Sequence, residues 1–353
     1  MQILKRSTIL FAVFLFFSIQ CNAAPDPRNQ VHFINVGQAE AILLEFQHDA
    51  ILIDAGGECT CDDRDRRRLM GYLNSFFKRR TDLTEGGKGR IHTIIISHPH
   101  IDHTMLLMDV MQEYRVLNFV DGGNESGSGI VPLLAARYYA QKHGTNYEIV
   151  KDAAITANGL VNAALQSVHN NNPDVTLKFL AGSRDCRNAN NDSLILWAQI
   201  NGVKFLFTGD DEALEDRDGP KDCEPEIPFV LNRFKNTGLL DIDVYKVGHH
   251  GSFNGTSIDL LQAMTPKISV MSAGLFDQKD PGDFHAWQFG HPREAAVQAI
   301  AANTTNTREP ITIKTMDSPA KPRTRIMKNA VYCTCWDSDI VVEVLKDGSI
   351  SVH

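Results

Sequence analysis

Residues 97–103 read "SHPHIDH" and follow directly on the apolar run "IHTIII" (91–96). Three histidines and an aspartate at the end of a predicted strand serve neither packing nor solubility. Neutral imidazole and carboxylate are good ligands for zinc, manganese and iron, so the stretch reads as a metal-binding corner between a strand and a helix. His98 and His100 flank Pro99, which stiffens the backbone and lets both rings address one ion. Asp102 and His103 open the following helix and can turn towards a second ion, at a helix N-terminus that also favours bound anions. One loop cannot complete two sites, and other strand ends supply more donors. "FLFTGD" (205–210) puts Asp210 just past an apolar strand, where a carboxylate could bridge two ions, and "VGHHGS" (247–252) puts His249 and His250 beyond another.

The rest of the chain alternates strands and helices around these corners. Apolar runs at 31–36, 41–46 and 50–55 predict strands, and the spacing of apolar residues predicts a helix over 66–80. Further strands are expected at 91–96 and 115–120, with helices from about Asp102 and over 131–144. Residues 193–200 and 204–210, joined by Asn201-Gly202, predict a β-hairpin. A strand at 243–251 runs into a His-Gly turn, a helix follows Ser257, and a strand (267–273) and helix (293–302) come next. "ITIKT", "AVYCTC" and "IVVEVL" read as closing strands. Two strand-rich halves interleaved with helices suggest two packed sheets with helices outside, an α/β sandwich in one domain over 24–353 that ends in a C-terminal strand extension.

"SHPHIDH" resembles the H-x-H-x-D-H signature of the metallo-β-lactamase superfamily, whose fold is an αββα four-layer sandwich with its metals at one edge. "NNDSLIL" (190–196), "FLFTGD", "YKVGHHGSFNGTS" (245–257) and "FGHP" (289–292) together resemble the hydrolase domain of ComEC-type DNA-uptake proteins and their soluble relatives. "VHFINVGQAEAILLE" (31–45) is similar to that group's opening strand pair, which usually has Asp where this chain has Asn35 or Glu40. The resemblance runs over roughly residues 31 to 300. It implies two divalent metal ions, zinc or manganese: His98 and His100 hold the first, Asp102 and His103 the second, Asp210 bridges, and one of His249 and His250 closes the second site. His250 is the favoured ligand, leaving His249 to steady the substrate or its developing charge. Many members carry a further metal histidine before the "TGD" hairpin, but here that loop is "RNANNDS" (187–193). Asn190, Asn191 or Asp192 then either completes the first site or performs ordinary turn chemistry.

The implied reaction is hydrolysis of a phosphodiester, DNA or RNA included, by a metal-bridging hydroxide that Asp102 aims by accepting its hydrogen bond. Asp102 and His249 are thus the catalytic candidates, and Asn191, Ser193, Ser252 and His291 the candidate substrate contacts. Ser252 also suits a turn-shaping role, and His291 a capping one. His285, Trp287 and Phe289 read either as a lid or base-stacking surface or as a packed surface loop. Smaller phosphoesters are the nearest alternative substrates and lactones or β-lactams a more distant one. A member of the fold that binds metal without turnover is the alternative of another class.

Composition bounds the setting. "MQILKRSTILFAVFLFFSIQCNAA" has the charged start, apolar centre and small-residue end of a secretory signal cut after Ala23, and its apolar run is shorter than the roughly 20 residues a membrane span needs. The expected mature chain is exported, periplasmic or extracellular, with no transmembrane segment. A formal net charge of −8 over 353 residues argues against strong nonspecific nucleic-acid binding, though "DRDRRR" (63–68) and "KRR" (78–80) on one predicted helix could form a basic patch. Their simpler reading is a solvated helix face. Cys59, Cys61, Cys186, Cys223, Cys333 and Cys335 lie past the signal, an even number that suggests disulfides in an exported chain. The two Cys-x-Cys pairs are expected to bridge each other, leaving Cys186 with Cys223. A four-thiolate zinc site is the rival reading.

Overall fold

The structure is a computed structural model and describes residues 29–57, 63–214, 223–274, 289–318 and 321–353. The N-terminal apolar segment, Cys59, Cys61, His285 and Trp287 lie outside the described residues. Strands β1 (Asn29–Phe33), β2 (Ile42–Glu45), β3 (Ala50–Ile53), β4 (Thr84–Glu85), β5 (Lys88–Ile95), β6 (Arg115–Asp121) and β7 (Asn146–Ile149) build the first sheet. The second holds β8 (Val175–Ala181), β9 (Ile195–Ile200), β10 (Val203–Phe207), β11 (Val244–Lys246) and β12 (Ile268–Met271). Next, β13 (Thr307–Ser318) and β14 (Lys321–Asn329) form a two-stranded ribbon of their own. The chain then returns as β15 (Val331–Cys333) beside β12 and closes on the first sheet with β16 (Ile340–Val344) against β1 and β17 (Ile350–Val352) outside it.

Side-chain alternation explains the layering. On β2, Ile42 and Leu44 enter the core shared by the two sheets, while Leu43 faces the other way. That outer face is covered by helices α1 (Arg64–Arg79), α2 (Ile101–Thr104), α3 (Leu107–Glu113) and α4 (Ile130–His143), through Leu69, Leu73, Val110 and Leu133. Phe33, Ile53, Phe179, Leu196 and Phe205 fill the space between the sheets. Helix α5 (Ala163–Asn171) packs on β8, and α6 (Glu226–Phe234), α7 (Ile258–Met264) and the helix Glu294–Asn303 join the same core through Val230, Leu261 and Ile300. The expected α/β, αββα arrangement is therefore the one found.

"ITIKT" is a strand as expected and lies in the separate ribbon, where residues 311–315 pair with Arg323–Met327. Two expectations are corrected. "AVYCTC" is a strand only to Cys333, after which Thr334–Asp337 is helical. Within that corner Cys333 and Cys335, with Cα atoms 5.1 Å apart, are joined to each other, so they neither bridge a second Cys-x-Cys pair nor serve a thiolate zinc site. The turn from extended strand to helix brings two near neighbours within disulfide reach. Cys186 is bonded to Cys223, as expected.

The basic residues of α1 are mostly spoken for. Arg79 and Arg80 converge on the buried carboxylate of Glu45, at 3.0 and 2.7 Å, and His32 Nε2 lies 3.1 Å from the same group. Arg66 pairs with Asp109. This helix is pinned to the sheet at its C-terminal end, and Arg67 and Lys78 are left as exposed cations on it. Burial alone would raise the pKa of Glu45, but its bonds to His32, Arg79 and Arg80 hold it at about 2 against an ordinary 4.5. A depressed carboxylate stabilises the fold above its unfolded pKa and loses that contribution as pH falls towards the folded value. Urea unfolding should therefore show a Glu45→Gln variant about 3 kcal/mol less stable than the parent at pH 7. The deficit should shrink between pH 4.5 and 2; a deficit that stays constant over that window contradicts the assignment.

Candidate metal centre

Strands β3, β5 and β6 run parallel in one sheet, and β10, β11, β12 and β15 in the other. Their carboxyl ends meet at one edge of the sandwich, the position where open α/β sheets usually place ligands. Asp54 follows β3, the "SHPHIDH" corner follows β5, Asp210 follows β10 and His249–His250 follow β11. Asp102, His103, Asp210 and His250 bring one donor atom each to within 4.8 Å of one another. Asp210 Oδ2 lies 3.2 Å from both His103 Nε2 and His250 Nε2, and His250 Nε2 lies 3.2 Å from Asp102 Oδ2. His98 Nε2 and His100 Nδ1 form a second pair, 3.1 Å apart.

The backbone is shaped for this convergence. A Cβ on Gly56 would lie 1.6 Å from the Asp102 carbonyl oxygen, so only glycine lets the β3 end pass under the histidine loop. His249 and His250 both have positive φ, 45° and 52°, an uncommon conformation for residues with side chains and one that concentrates at functional sites. The His249 N–H donates to the Gly209 carbonyl at 3.2 Å, tying the histidine turn to the Asp210 turn. Other contacts fix the rings. Asp54 Oδ2 is 2.7 Å from His103 Nδ1 and is itself held by the Ser97 N–H and hydroxyl, and the Ser272 carbonyl is 2.7 Å from His250 Nδ1. Carboxylate and carbonyl partners of this kind orient metal-binding imidazoles.

Electrostatics agree with a cation at this place. Burial opposes protonation of His250, yet Asp210 and Asp102 push it up to about 10; His103 is driven up in the same way by Asp210, Asp54 and Asp102. Two protons thus sit among carboxylates where a divalent ion would do the neutralising, so binding one should release protons. The donor set fits such an ion. His103 Nε2, Asp210 Oδ1 and Asn190 Oδ1 are buried without a hydrogen-bond partner among the described residues. The separations of 3.1–3.2 Å are close to the roughly 3.3 Å edge of a tetrahedron with 2.0 Å ligand bonds. His98 has the opposite bias, held well below the usual histidine value by burial and by the neighbouring His103 and His100.

A pocket of about 340 Å³ opens over this cluster, walled by Gln38, His100, Asp102, Asn190, His249 and His291, with Phe289 at its exposed rim. His249 lies farther from Asp210 than His250 does, at 4.0 Å, and its Nδ1 is 3.7 Å from Glu212, so this ring faces the pocket and not the cluster. Of the four expected substrate contacts only His291 reaches the wall. Ser193 accepts the Asp210 N–H, Ser252 donates to Asn254 and accepts the Gly255 N–H, and Asn191 is buried beside Arg184; all three shape turns behind the site. Asp192 is also turned away, its carboxylate engaged by Asn124, Ser183 and the Arg184 N–H. The sequence reading missed Asp54, although "AILIDA" places it past an apolar strand as "FLFTGD" does Asp210. It also missed the wholly buried ion pair of Lys246 with Glu40, 2.5 Å apart, whose ammonium donates to the Gly209 carbonyl at 2.8 Å.

Known proteins resemble this chain over much of its length. ComE operon protein 3 of Bacillus subtilis (strain 168) is 28% identical over 292 residues, 82% of this chain, which spans about a third (32%) of that relative's length. Among solved structures, the metallo-beta-lactamase fold protein YhfI of Bacillus subtilis superposes with a TM-score of 0.42 at 12% identity, over 80% of this chain and 95% of its own. Human tRNase Z, short form, does so with a TM-score of 0.36 at 14% identity, over 68% and 91% respectively. Residues 34–123, from the opening strand pair through the histidine corner, match the sequence family described as the metallo-beta-lactamase superfamily. The chain thus carries the sequence pattern, over those residues, and the fold of that superfamily, most of whose members are metal-dependent hydrolases.

Proposed function

We propose that the protein is an exported phosphodiesterase using two divalent ions, zinc or manganese. The observation that carries this reading is the convergence of Asp102, His103, Asp210 and His250 beneath a pocket open to substrate. His103, Asp102, His250 and Asp210 would hold one ion, and His98, His100 and Asp210 the other, with the Asn190 amide oxygen standing where the usual histidine is missing. When bound, the ions supply Lewis acidity, lower the pKa of a water and neutralise charge on the phosphate. Asp102 is partly exposed in the pocket and can take a hydrogen bond from the attacking water. His249, with Glu212 3.7 Å from its Nδ1, lines the same space and can donate to a phosphoryl oxygen. His291 is held well below the ordinary histidine value by burial and by His249 and His250, so it serves as a neutral donor or acceptor. Gln38 Nε2, 3.3 Å from His291 Nδ1, fixes that ring.

A phosphodiester is favoured over a lactam by the ComEC-type motifs, and DNA or RNA is the substrate class they suggest. Export is supported by the N-terminal signal pattern and by the Cys186–Cys223 and Cys333–Cys335 disulfides. No helix among the described residues is long and apolar enough to cross a membrane. Pocket size also suits a small phosphoester, because about 340 Å³ holds one nucleotide-sized group. The test is a panel run on protein loaded with Mn²⁺ or Zn²⁺: a single-stranded oligonucleotide, bis-p-nitrophenyl phosphate, a nucleotide monoester, a lactone and a β-lactam. Metal-dependent cleavage of the first two is expected. Bound metal with no turnover on any ester would establish the binding role instead.

A further inference from the structure

The ribbon of β13 and β14 joins neither sheet, although Ile313, Met316 and Met327 anchor it to the core, and its composition is unlike that of the remaining chain. It carries Arg308, Lys314, Lys321, Arg323, Arg325 and Lys328 against only Glu309 and Asp317, in a protein of formal charge −8. Arg308 binds Asp337 and Arg325 binds Glu294, at 2.6 and 3.1 Å. Lys314, Lys321, Arg323 and Lys328 are exposed; Lys321 and Lys328 have no ion pair among the described residues, and Arg323 meets Asp317 only in an open contact of the weak kind. Ile313, Thr315 and Met327 are buried on the body side of the ribbon, while Lys314, Thr324 and Lys328 point outward.

Position gives this charge a use. The ribbon's turn end is hydrogen-bonded to the pocket wall: the Met316 N–H donates to the Pro292 carbonyl at 3.0 Å, and the Arg293 N–H donates to the Gly251 carbonyl at 2.8 Å. Pro292 follows His291, and Gly251 follows His250. Arg293 adds a further cation at the junction, its guanidinium donating to the Asp317 carbonyl. Lys321 and Arg323 lie at this end by register, opposite Ser318 and Thr315, and Lys328 lies towards the far end. A nine-residue strand is about 30 Å long. Positive charge therefore starts beside the pocket and continues along both faces of the ribbon, with Arg323 on the side of its partner Thr315 and Lys314 and Lys328 on the outward side.

The geometry points to the β13–β14 ribbon as an arm that binds the phosphate backbone of a nucleic acid strand and delivers one of its phosphodiesters to the pocket. This rests on the phosphodiesterase reading for the second half of that statement and on charge complementarity for the first. The pocket is too small for a duplex, so the strand enters singly. A purely structural alternative exists, since lysines on an open two-stranded edge also prevent strand-to-strand aggregation.

The decisive variant replaces Lys314, Lys321, Arg323 and Lys328 together by glutamine, beside a charge-keeping variant with Lys314→Arg, Lys321→Arg and Lys328→Arg. Binding is followed by anisotropy of a fluorescein-labelled 20-mer in metal-free buffer over a salt series, so that no turnover is needed. Losing four phosphate contacts should flatten the slope of log affinity against log salt by about 3. The arginine variant should keep the parent slope, and cleavage of long oligonucleotides should show a raised KM in the glutamine variant. Bis-p-nitrophenyl phosphate, too small to span ribbon and pocket, reports whether the site itself is intact. An unchanged slope in a glutamine variant that merely aggregates overturns the proposal in favour of edge protection. Binding to anionic lipid vesicles but not to the oligonucleotide also overturns it. If the parent cleaves no phosphodiester yet shows the charge-dependent binding, the enzymatic reading fails and the arm stands.

Discussion

Changing Asp210 to alanine should lower phosphodiester turnover by about three orders of magnitude, the worth of roughly 4 kcal/mol of transition-state stabilisation. Its carboxylate is the one group within 3.2 Å of both His103 and His250, and its backbone turn is braced by Ser193 and by the His249 N–H. Among the described residues the neighbouring carboxylates are otherwise placed: Asp54 is committed to Ser97 and His103 on the far side of the ring, Glu40 is paired with Lys246, and Asp102 is 4.0 Å from His103 Nε2. The same substitution should lower bound metal measured by plasma mass spectrometry. The circular dichroism spectrum should persist, because the imidazoles can lose their protons and remain as neutral rings. A variant that retained both metal and turnover would remove Asp210 from the site.

The second large effect concerns stability. Lys246 is wholly buried; burial works against its charge, but Glu40 and Asp210 outweigh that and hold the ammonium above the ordinary lysine range. Lys246→Met should cost about 3–5 kcal/mol in urea unfolding, because the Glu40 carboxylate is left buried without its cation. Uptake of a proton by Glu40 limits the loss. Adding Glu40→Gln removes the stranded charge and should restore most of the stability, giving a large coupling in the double-mutant cycle. Simple additivity of the two substitutions would show that the pair is not coupled. Because the Lys246 ammonium also donates to the Gly209 carbonyl, Lys246→Met is expected to shift Asp210 and weaken metal binding as well.

What the sequence disclosed and what it hid follow the range of the interactions. Local signals were plain. Asn201 and Gly202, both at positive φ, close the β9–β10 hairpin where the dipeptide predicted it, and the apolar runs became the buried strands of both sheets. Corner residues 98–103, Asp210 and His250 could be read because each follows its own strand. Asp54 escaped notice as a single carboxylate whose partner lies 49 positions away. Glu40 and Lys246 could not be paired without the fold, since neither side chain has a local reason to be buried. The ribbon's partner was hidden for a related cause: "ITIKT" has the alternation of any strand, as it proves to be, and nothing in it says which sheet, or none, it joins. The hydroxyls of Ser193 and Ser252 are taken up by the Asp210 N–H and by Asn254 and the Gly255 N–H, bonds that only the folded turns reveal.

The pairing of β16 with β1 joins Gln30 to Glu343 and places the last long strand beside the first. During synthesis the hydrogen-bonding edge of β1 must therefore wait for a segment 313 positions further along before this neighbour arrives. Contacts of such long range make folding slow, and a chain stopped short of Ile340 would offer an unzipped edge to any other strand nearby. The layer that supports half of the histidine-aspartate cluster is in this sense completed last.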